Sequence, residues 1–212
     1  MVITYFGDRF LKIQYGDTVI GINPPAKGAP LSSKISTFGA DIAVSTSNDI
    51  AVSGADTLRF GDRIPFVVDG PGSYEVKEVY ISGGILGKNE SRIESAFSIT
   101  LEGMSVAVLG TVSSSEIPMA TREMLSNPDI LIIPVSVKGS LSTKDLAKFA
   151  LSLEPMIIVP VSYGENVSST DLKSFIKDCG EDSPEVVEKL TLKKKDLDGK
   201  DGNIIIIKPE VK

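Results

Sequence analysis

Ser45-Thr46-Ser47-Asn48-Asp49-Ile50-Ala51 follows Ala40-Asp41-Ile42-Ala43-Val44, a short apolar run that reads as a buried strand. The stretch offers hydroxyls, one amide and one carboxylate. With Thr111 and Ser162, two further small polar residues that follow apolar runs, it can hydrogen-bond a small polar ligand. The same groups can also bond to one another and fill space. Hard-cation chemistry would need more carboxylates. Asp8 and Asp49, with Asp69 or Glu75, are the candidate oxygen ligands for Mg²⁺ or Ca²⁺. Against this, Asp8, Asp49 and Asp69 stand in turn-like sequence, where aspartate accepts backbone hydrogen bonds.

The chain has no histidine. That excludes Ser-His-Asp and Cys-His catalysis and any imidazole-ligated zinc site. Thr111-Val112-Ser113-Ser114-Ser115 supplies hydroxyls, but a serine nucleophile needs a base and no lysine or histidine is near in sequence. The run reads as the cap of a following helix. Cys179 is the only cysteine, so there is no internal disulfide and no thiolate metal cluster. Without a histidine to activate it, Cys179 reads as a structural thiol near a helix end.

A chain of 212 residues, 42% hydrophobic and 24% charged, suits one globular domain over 1–212 with a sizeable core. The net charge of −6 repels phosphate backbones, so no nucleic-acid partner is expected. The one basic run, Lys193-Lys194-Lys195, is short and reads as a solvated strand or turn. Apolar stretches fall far short of the roughly 20 residues that span a bilayer, and no membrane partner is expected. Met1-Val2-Ile3-Thr4-Tyr5-Phe6 has no basic leader region, which predicts a cytoplasmic protein.

Several elements must position these residues. Residues 2–6, 9–14 and 17–22 read as consecutive strands with turns at Gly7-Asp8 and Tyr15-Gly16-Asp17. Asn23-Pro24-Pro25 stops the third, and 24–38 reads as a loop. Further strands are expected at 41–45, 57–60 and 65–68, then a turn at Asp69-Gly70-Pro71-Gly72. Residues 73–83 alternate as one half-exposed strand, and 88–94 read as a charged hairpin loop. Residues 96–101 and 104–109 form a hairpin about Glu102-Gly103. Beyond Gly110, buried strands at 129–135 and 156–161 alternate with helices around 115–125, 143–153 and 169–178. The second helix is capped by Ser142 with Asp145. Strands at 186–192 and 203–208 close the chain. A β-rich first half and an alternating second half predict two mainly antiparallel mixed sheets, face to face with outer helices, a four-layer αβ/βα sandwich.

Five segments resemble, in order and over nearly the whole length, those of the metallo-β-lactamase-fold hydrolases, in their short single-domain branch. Tyr5-Phe6-Gly7-Asp8 is similar to the opening strand and its Leu-Gly-His turn, and Ile22-Asn23-Pro24 to an Ile-Asp-Pro. Asp69-Gly70-Pro71-Gly72-Ser73-Tyr74-Glu75-Val76 resembles a segment reading Gly-Pro-Gly-Glu-Tyr-Glu. Val108-Leu109-Gly110-Thr111 resembles His-Leu-Gly-Asp, and Pro160-Val161-Ser162-Tyr163 a Pro-x-His-Tyr end. The resemblance implies the fold. Its His-x-His-x-Asp-His loop, which holds two metal ions, falls here on Thr46, Asn48, Ile50 and Ala51. The bridging aspartate falls on Thr111, the last histidine on Ser162 and the turn histidine on Asp8. Neutral hydroxyls and an amide do not offset the desolvation of a divalent cation.

The expectation is a catalytically degenerate, metal-free and cofactor-free member, working by binding or assembly. Asp8, Thr46, Ser47, Asn48, Asp49, Thr111 and Ser162 are expected to form the vestigial or ligand-binding site at one edge of the sandwich, with Ile50 and Ala51 as apolar filling. A small polar ligand, a protein or a second copy is the expected partner. The alternative is a hydrolase with a rebuilt oxygen-ligand site for Mg²⁺ or Ca²⁺ in the same cleft.

Overall fold

Alternating and continuous apolar runs sort the strands into two sheets. In the computed structural model, which describes residues 1–36, 38–88, 92–164 and 167–210, β1 (Val2–Gly7), β2 (Phe10–Tyr15), β3 (Thr18–Ile22), β4 (Ile42–Val44) and β5 (Phe66–Val68) belong to the first. The second holds β6 (Gly72–Val76), β7 (Val79–Lys88), β8 (Ile93–Leu101), β9 (Met104–Leu109), β10 (Ile130–Pro134), β11 (Ile157–Val161), β12 (Glu185–Val187) and β14 (Asn203–Ile207), while β13 (Leu190–Thr191) returns to the first. The orders are β13-β1-β2-β3-β4-β5 and β12-β14-β11-β10-β9-β8-β7-β6.

Both sheets are mixed. In the first, β13–β1, β1–β2 and β2–β3 are antiparallel, and β3–β4 and β4–β5 parallel. In the second, the meander β6–β7–β8–β9 is antiparallel, and β9–β10, β10–β11, β11–β14 and β14–β12 are parallel. Parallel pairing takes a larger share of this sheet than the sequence led us to expect. A parallel neighbour needs a crossover, and α1 (Met119–Leu125) and α2 (Thr143–Leu151) supply those into β10 and β11.

Period-2 alternation divides the first sheet's faces. Ile3, Tyr5, Leu11, Ile13, Ile20, Ile22, Ile42 and Val44 join a core shared with Ile81, Phe97, Val106 and Val108 of the second sheet. Phe6, Phe10 and Ala43 point the other way, into a smaller cluster with Ala40 and Leu58, where Phe6, Phe10 and Phe38 stack. That outer face carries 3-10 turns at Pro30–Ser33 and Ala55–Leu58. α1 packs on β7 and β8, and α2 packs on α3 (Thr170–Asp178). Ser142 Oγ accepts from the Asp145 amide at 3.2 Å and Ser169 Oγ from the Leu172 amide at 3.4 Å, so both helices start at hydroxyl caps. α1 starts later than expected, at Met119, because the ring of Pro118 excludes Ile117 from helical geometry.

Three local expectations are corrected. Residues 57–60 are not a strand; Thr57 Oγ1 donates to the Gly54 carbonyl at 2.6 Å and closes the 3-10 turn instead. Residues 73–83 are two strands, split at Lys77 (φ 51°) and Glu78 (φ 62°), both left-handed as a two-residue hairpin requires. Residues 186–192 divide into β12 and β13, which join different sheets. Of the expected loop at 88–94, residues 89–91 lie outside the described residues.

Asp41 ties the two sheets. Its buried carboxylate, just before β4, accepts from the Val19 amide at 2.9 Å, from Arg63 and, at 2.6 Å, from Lys77 in the β6–β7 turn. Burial pushes its pKa up, but the bonds from Lys77, Arg63 and Val19 outweigh burial and hold it below the ordinary 3.8. A carboxyl lowered in the folded state stabilises above its unfolded pKa, and that stability is lost as pH falls through the folded value. Asp41→Asn should therefore cost about 2–3 kcal/mol at neutral pH, a figure reduced for the solvent exposure of Arg63 and Lys77. Urea denaturation should show the gap closing as pH drops below 3.8. A gap of constant size down to acid would assign the loss to packing.

Candidate functional site

The β1–β2 turn and the end of β11 meet first. Asp8 (φ 48°) and Ser162 (φ 55°) both adopt the left-handed region. The Asp8 carbonyl accepts from the Tyr5 hydroxyl at 2.8 Å and the Ser162 amide at 2.6 Å, and Ser162 Oγ donates to Asp8 Oδ1 at 2.8 Å. These bonds lock one sheet's first turn to the other sheet's strand end. Burial raises the Tyr5 and Tyr163 hydroxyls well above their ordinary pKa, so both stay neutral donors. Tyr163 donates to the Ile207 carbonyl at 2.5 Å.

The loop after β4 is fixed separately. Asn23 (φ 54°), just past β3, accepts through Oδ1 from the Thr46 amide at 2.8 Å and the Thr46 hydroxyl at 2.9 Å. The Thr46 carbonyl accepts from the Ser95 amide at 2.7 Å, and the Ser95 carbonyl from the Gly110 amide at 2.9 Å. Ser47 pairs with Glu94 through a backbone bridge, and Glu94 Oε2 accepts from the Thr111 amide at 2.9 Å. At the rim, exposed Asn48 accepts from the Ile93 amide at 3.4 Å. Asp49 behaves as a turn aspartate, accepting from the Ala51 amide at 2.9 Å and pairing with Arg92 at 2.5 Å.

Arg9 takes the interior. It is 5% exposed, and its Nη1 lies 3.8 Å from Glu94 Oε2. Among the described residues, its Nε and Nη1, and Ser47 Oγ, are buried without hydrogen-bond partners. Ile50 is 64% exposed and does not fill this space as expected. A turn closed by the Val52 amide on the Asp49 carbonyl sends Ile50 outward and buries Val52. Nor do the Thr46 and Ser162 side chains pair with each other, since Asn23 and Asp8 take them. Sequence reasoning missed Arg9, Glu94, Asn23 and Tyr5. The signal for Arg9 is its place in Arg9-Phe10-Leu11, a charge beginning an apolar strand.

The donor set does not fit a two-metal centre. Among the described residues, no three of His, Cys, Asp and Glu come close enough to hold a metal. Asp8 is engaged by Ser162, Asp49 by Arg92, and Glu94 faces a guanidinium that repels a second cation. Asp69 and Glu75 are exposed. At Cys179, burial, with Asp178 adding to it, pushes the thiol up to about 12, which disfavours the thiolate.

Two clefts open near these residues. One of about 400 Å³ is lined by Asp8, Ser162, Tyr163, Pro30, Leu31 and Pro209 among others. The other, about 170 Å³, includes Glu94, Thr111, Arg92 and Lys138. Among the described residues, no helix is long and apolar enough to cross a membrane.

Solved structures with this architecture share little sequence with the chain. A Thermotoga maritima protein of the metallo-β-lactamase superfamily is 22% identical, with a TM-score of 0.74 over 98% of each chain. Igni18, a metallo hydrolase from Ignicoccus hospitalis, is 12% identical, with a TM-score of 0.66 over 100% of this chain and 97% of that one. YhfI of Bacillus subtilis, a metallo-β-lactamase fold protein, is 10% identical, with a TM-score of 0.63 over 98% and 96%. At such identities the likeness carries the fold alone. No curated protein matches the chain. The beta-lactamase superfamily domain, however, matches residues 2–162, from β1 through the loop after β4 to Ser162, just past β11. With that match over most of its length and the architecture of these neighbours, the chain belongs to the beta-lactamase superfamily and has the metallo-β-lactamase fold.

Proposed function

We propose that this chain is a non-catalytic member of its superfamily that works by binding, its metal-ligating positions converted into a hydrogen-bonded patch around a buried ion pair. One observation carries the reading: the Arg9 guanidinium lies beside Glu94, among the positions where the family's motif would place metal ligands. A protein-borne cation there supplies positive charge that needs no imidazole or added carboxylate. It also opposes entry of a second cation, at a cost that rises as the surroundings dry. The patch joins strand ends of both sheets, so its role is structural, and the larger cleft beside Asp8 is left for a ligand.

Elemental analysis after purification without chelators tests this. The expected result is no stoichiometric zinc, iron or manganese, with thermal melts unmoved by Mg²⁺ or Ca²⁺. About one equivalent of transition metal per chain would overturn the reading. So would a saturable rise in melting temperature with Mg²⁺ that Asp8→Asn or Asp49→Asn abolishes, which would establish a rebuilt oxygen-ligand site.

A further inference from the structure

Asp8 lines the 400 Å³ cleft, a size suited to a small molecule. Pro30, Leu31 and Pro209 give it apolar walls. Among the described residues no cation pairs with Asp8; Oδ1 accepts from the neutral Ser162 hydroxyl. Its backbone is held in the left-handed region, where a side-chain-bearing residue is strained, by the Tyr5 hydroxyl and the Ser162 amide. A half-buried carboxylate is thus presented at a fixed place against an apolar wall, in a chain of net charge −6. A hard dication is a poor occupant, because one carboxylate supplies too few of the roughly six to eight oxygens Ca²⁺ requires. An ammonium is a good one, since its N–H donors make charge-assisted bonds to a carboxylate. Lys34 also lines the cleft; it is exposed and has an interaction of its own.

We propose that this cleft binds a small primary ammonium with a short apolar body, the ammonium on Asp8 and the body against Pro30, Leu31 and Pro209. The proposal rests on the binding reading above and names its ligand class.

Calorimetric titration of the purified protein with phenethylammonium, its neutral isostere 2-phenylethanol and the anion 3-phenylpropionate tests it. The ammonium should bind saturably, at least about tenfold more tightly than the alcohol, and the anion not at all. Asp8→Asn should weaken the ammonium by about 10–100-fold. Asparagine tolerates the left-handed backbone, so this variant keeps the turn. The alcohol comparison needs no variant. Equal binding of ammonium and alcohol, an unchanged affinity in Asp8→Asn, or no ammonium binding would each overturn the proposal. None of these touches the non-catalytic reading, which stands or falls on metal content.

Discussion

Glu94→Gln should destabilise the fold by about 3–5 kcal/mol, the range for removing one partner of a buried ion pair. Glu94 is 12% exposed in its side chain and Arg9 6%. Glutamine can still accept from the Thr111 amide through its own carbonyl, so the hydrogen bond at 2.9 Å survives the change. What is lost is the countercharge to a guanidinium whose Nε and Nη1 lack hydrogen-bond partners among the described residues. Arg9→Met should cost less, about 1–3 kcal/mol, because Glu94 keeps the Thr111 amide and some water. The double variant Arg9→Met/Glu94→Gln should be more stable than Glu94→Gln alone, since it leaves no buried charge unpaired. Urea denaturation of the four proteins gives the coupling directly. A purely additive cycle would show that the two charges do not feel each other, and would remove the ion pair from the proposed reading.

The consequence is a division of labour between the two sides of the candidate site. On one side, Tyr5, Asp8 and Ser162 join β1 to β11. On the other, the bonds Thr46–Ser95 and Ser95–Gly110 join the loop after β4 to β8 and β9. Each neutral bond is worth only about 0.5–1.5 kcal/mol net. The strand ends stay in register because several such bonds act together, which is how the clefts keep their shape.

Much of this fold is legible in the sequence because its signals are local and strong. The runs at 130–134 and 157–161 are continuous and apolar, and Ser142 and Ser169 announce helices by their hydroxyls. The β6–β7 hairpin was not legible, because Lys77-Glu78 lacks the Asn-Gly or Asp-Gly chemistry that marks such turns. β12 and β13 are close in sequence but join opposite sheets, a choice made by tertiary pairing alone. The site divides the same way. The absence of histidine can be read directly. Arg9, Asn23, Glu94 and Thr111 come from four separate segments, and nothing local says that they meet. Ile50 misleads for a physical reason: an apolar residue in a loop reads as filling, while the turn at Asp49–Val52 decides which way it faces.

Gly110→Ala is expected to cost about 3–5 kcal/mol, a large effect for one methyl group. An ideal Cβ at Gly110 would lie 2.7 Å from Glu94 Oε2, 2.8 Å from the Ser95 carbonyl and 3.2 Å from the Thr46 carbonyl. The carboxylate is a side-chain end and can swing aside, at the cost of its contacts to Thr111 and Arg9. The Ser95 carbonyl cannot. It is backbone in β8, it accepts the amide of Gly110 itself at 2.9 Å, and its own residue's amide is held by Thr46 at 2.7 Å. Relief therefore means parting β8 from β9 or from the loop after β4. Overpacking alone costs about 1–3 kcal/mol, and the lost ion-pair contacts add to it. Gly70→Ala is the control: no atom lies within 4 Å of its Cβ, and its change should stay within about 0.5 kcal/mol. Combining Gly110→Ala with Glu94→Ala separates the two clashes. If the carbonyl dominates, as expected, urea denaturation shows Gly110→Ala costing nearly as much in the Glu94→Ala background, measured against Glu94→Ala alone, as it does in the parent. If Gly110→Ala alone stays within about 1 kcal/mol of the parent, the strand ends yield easily, and they are not the rigid link that holds the clefts in shape.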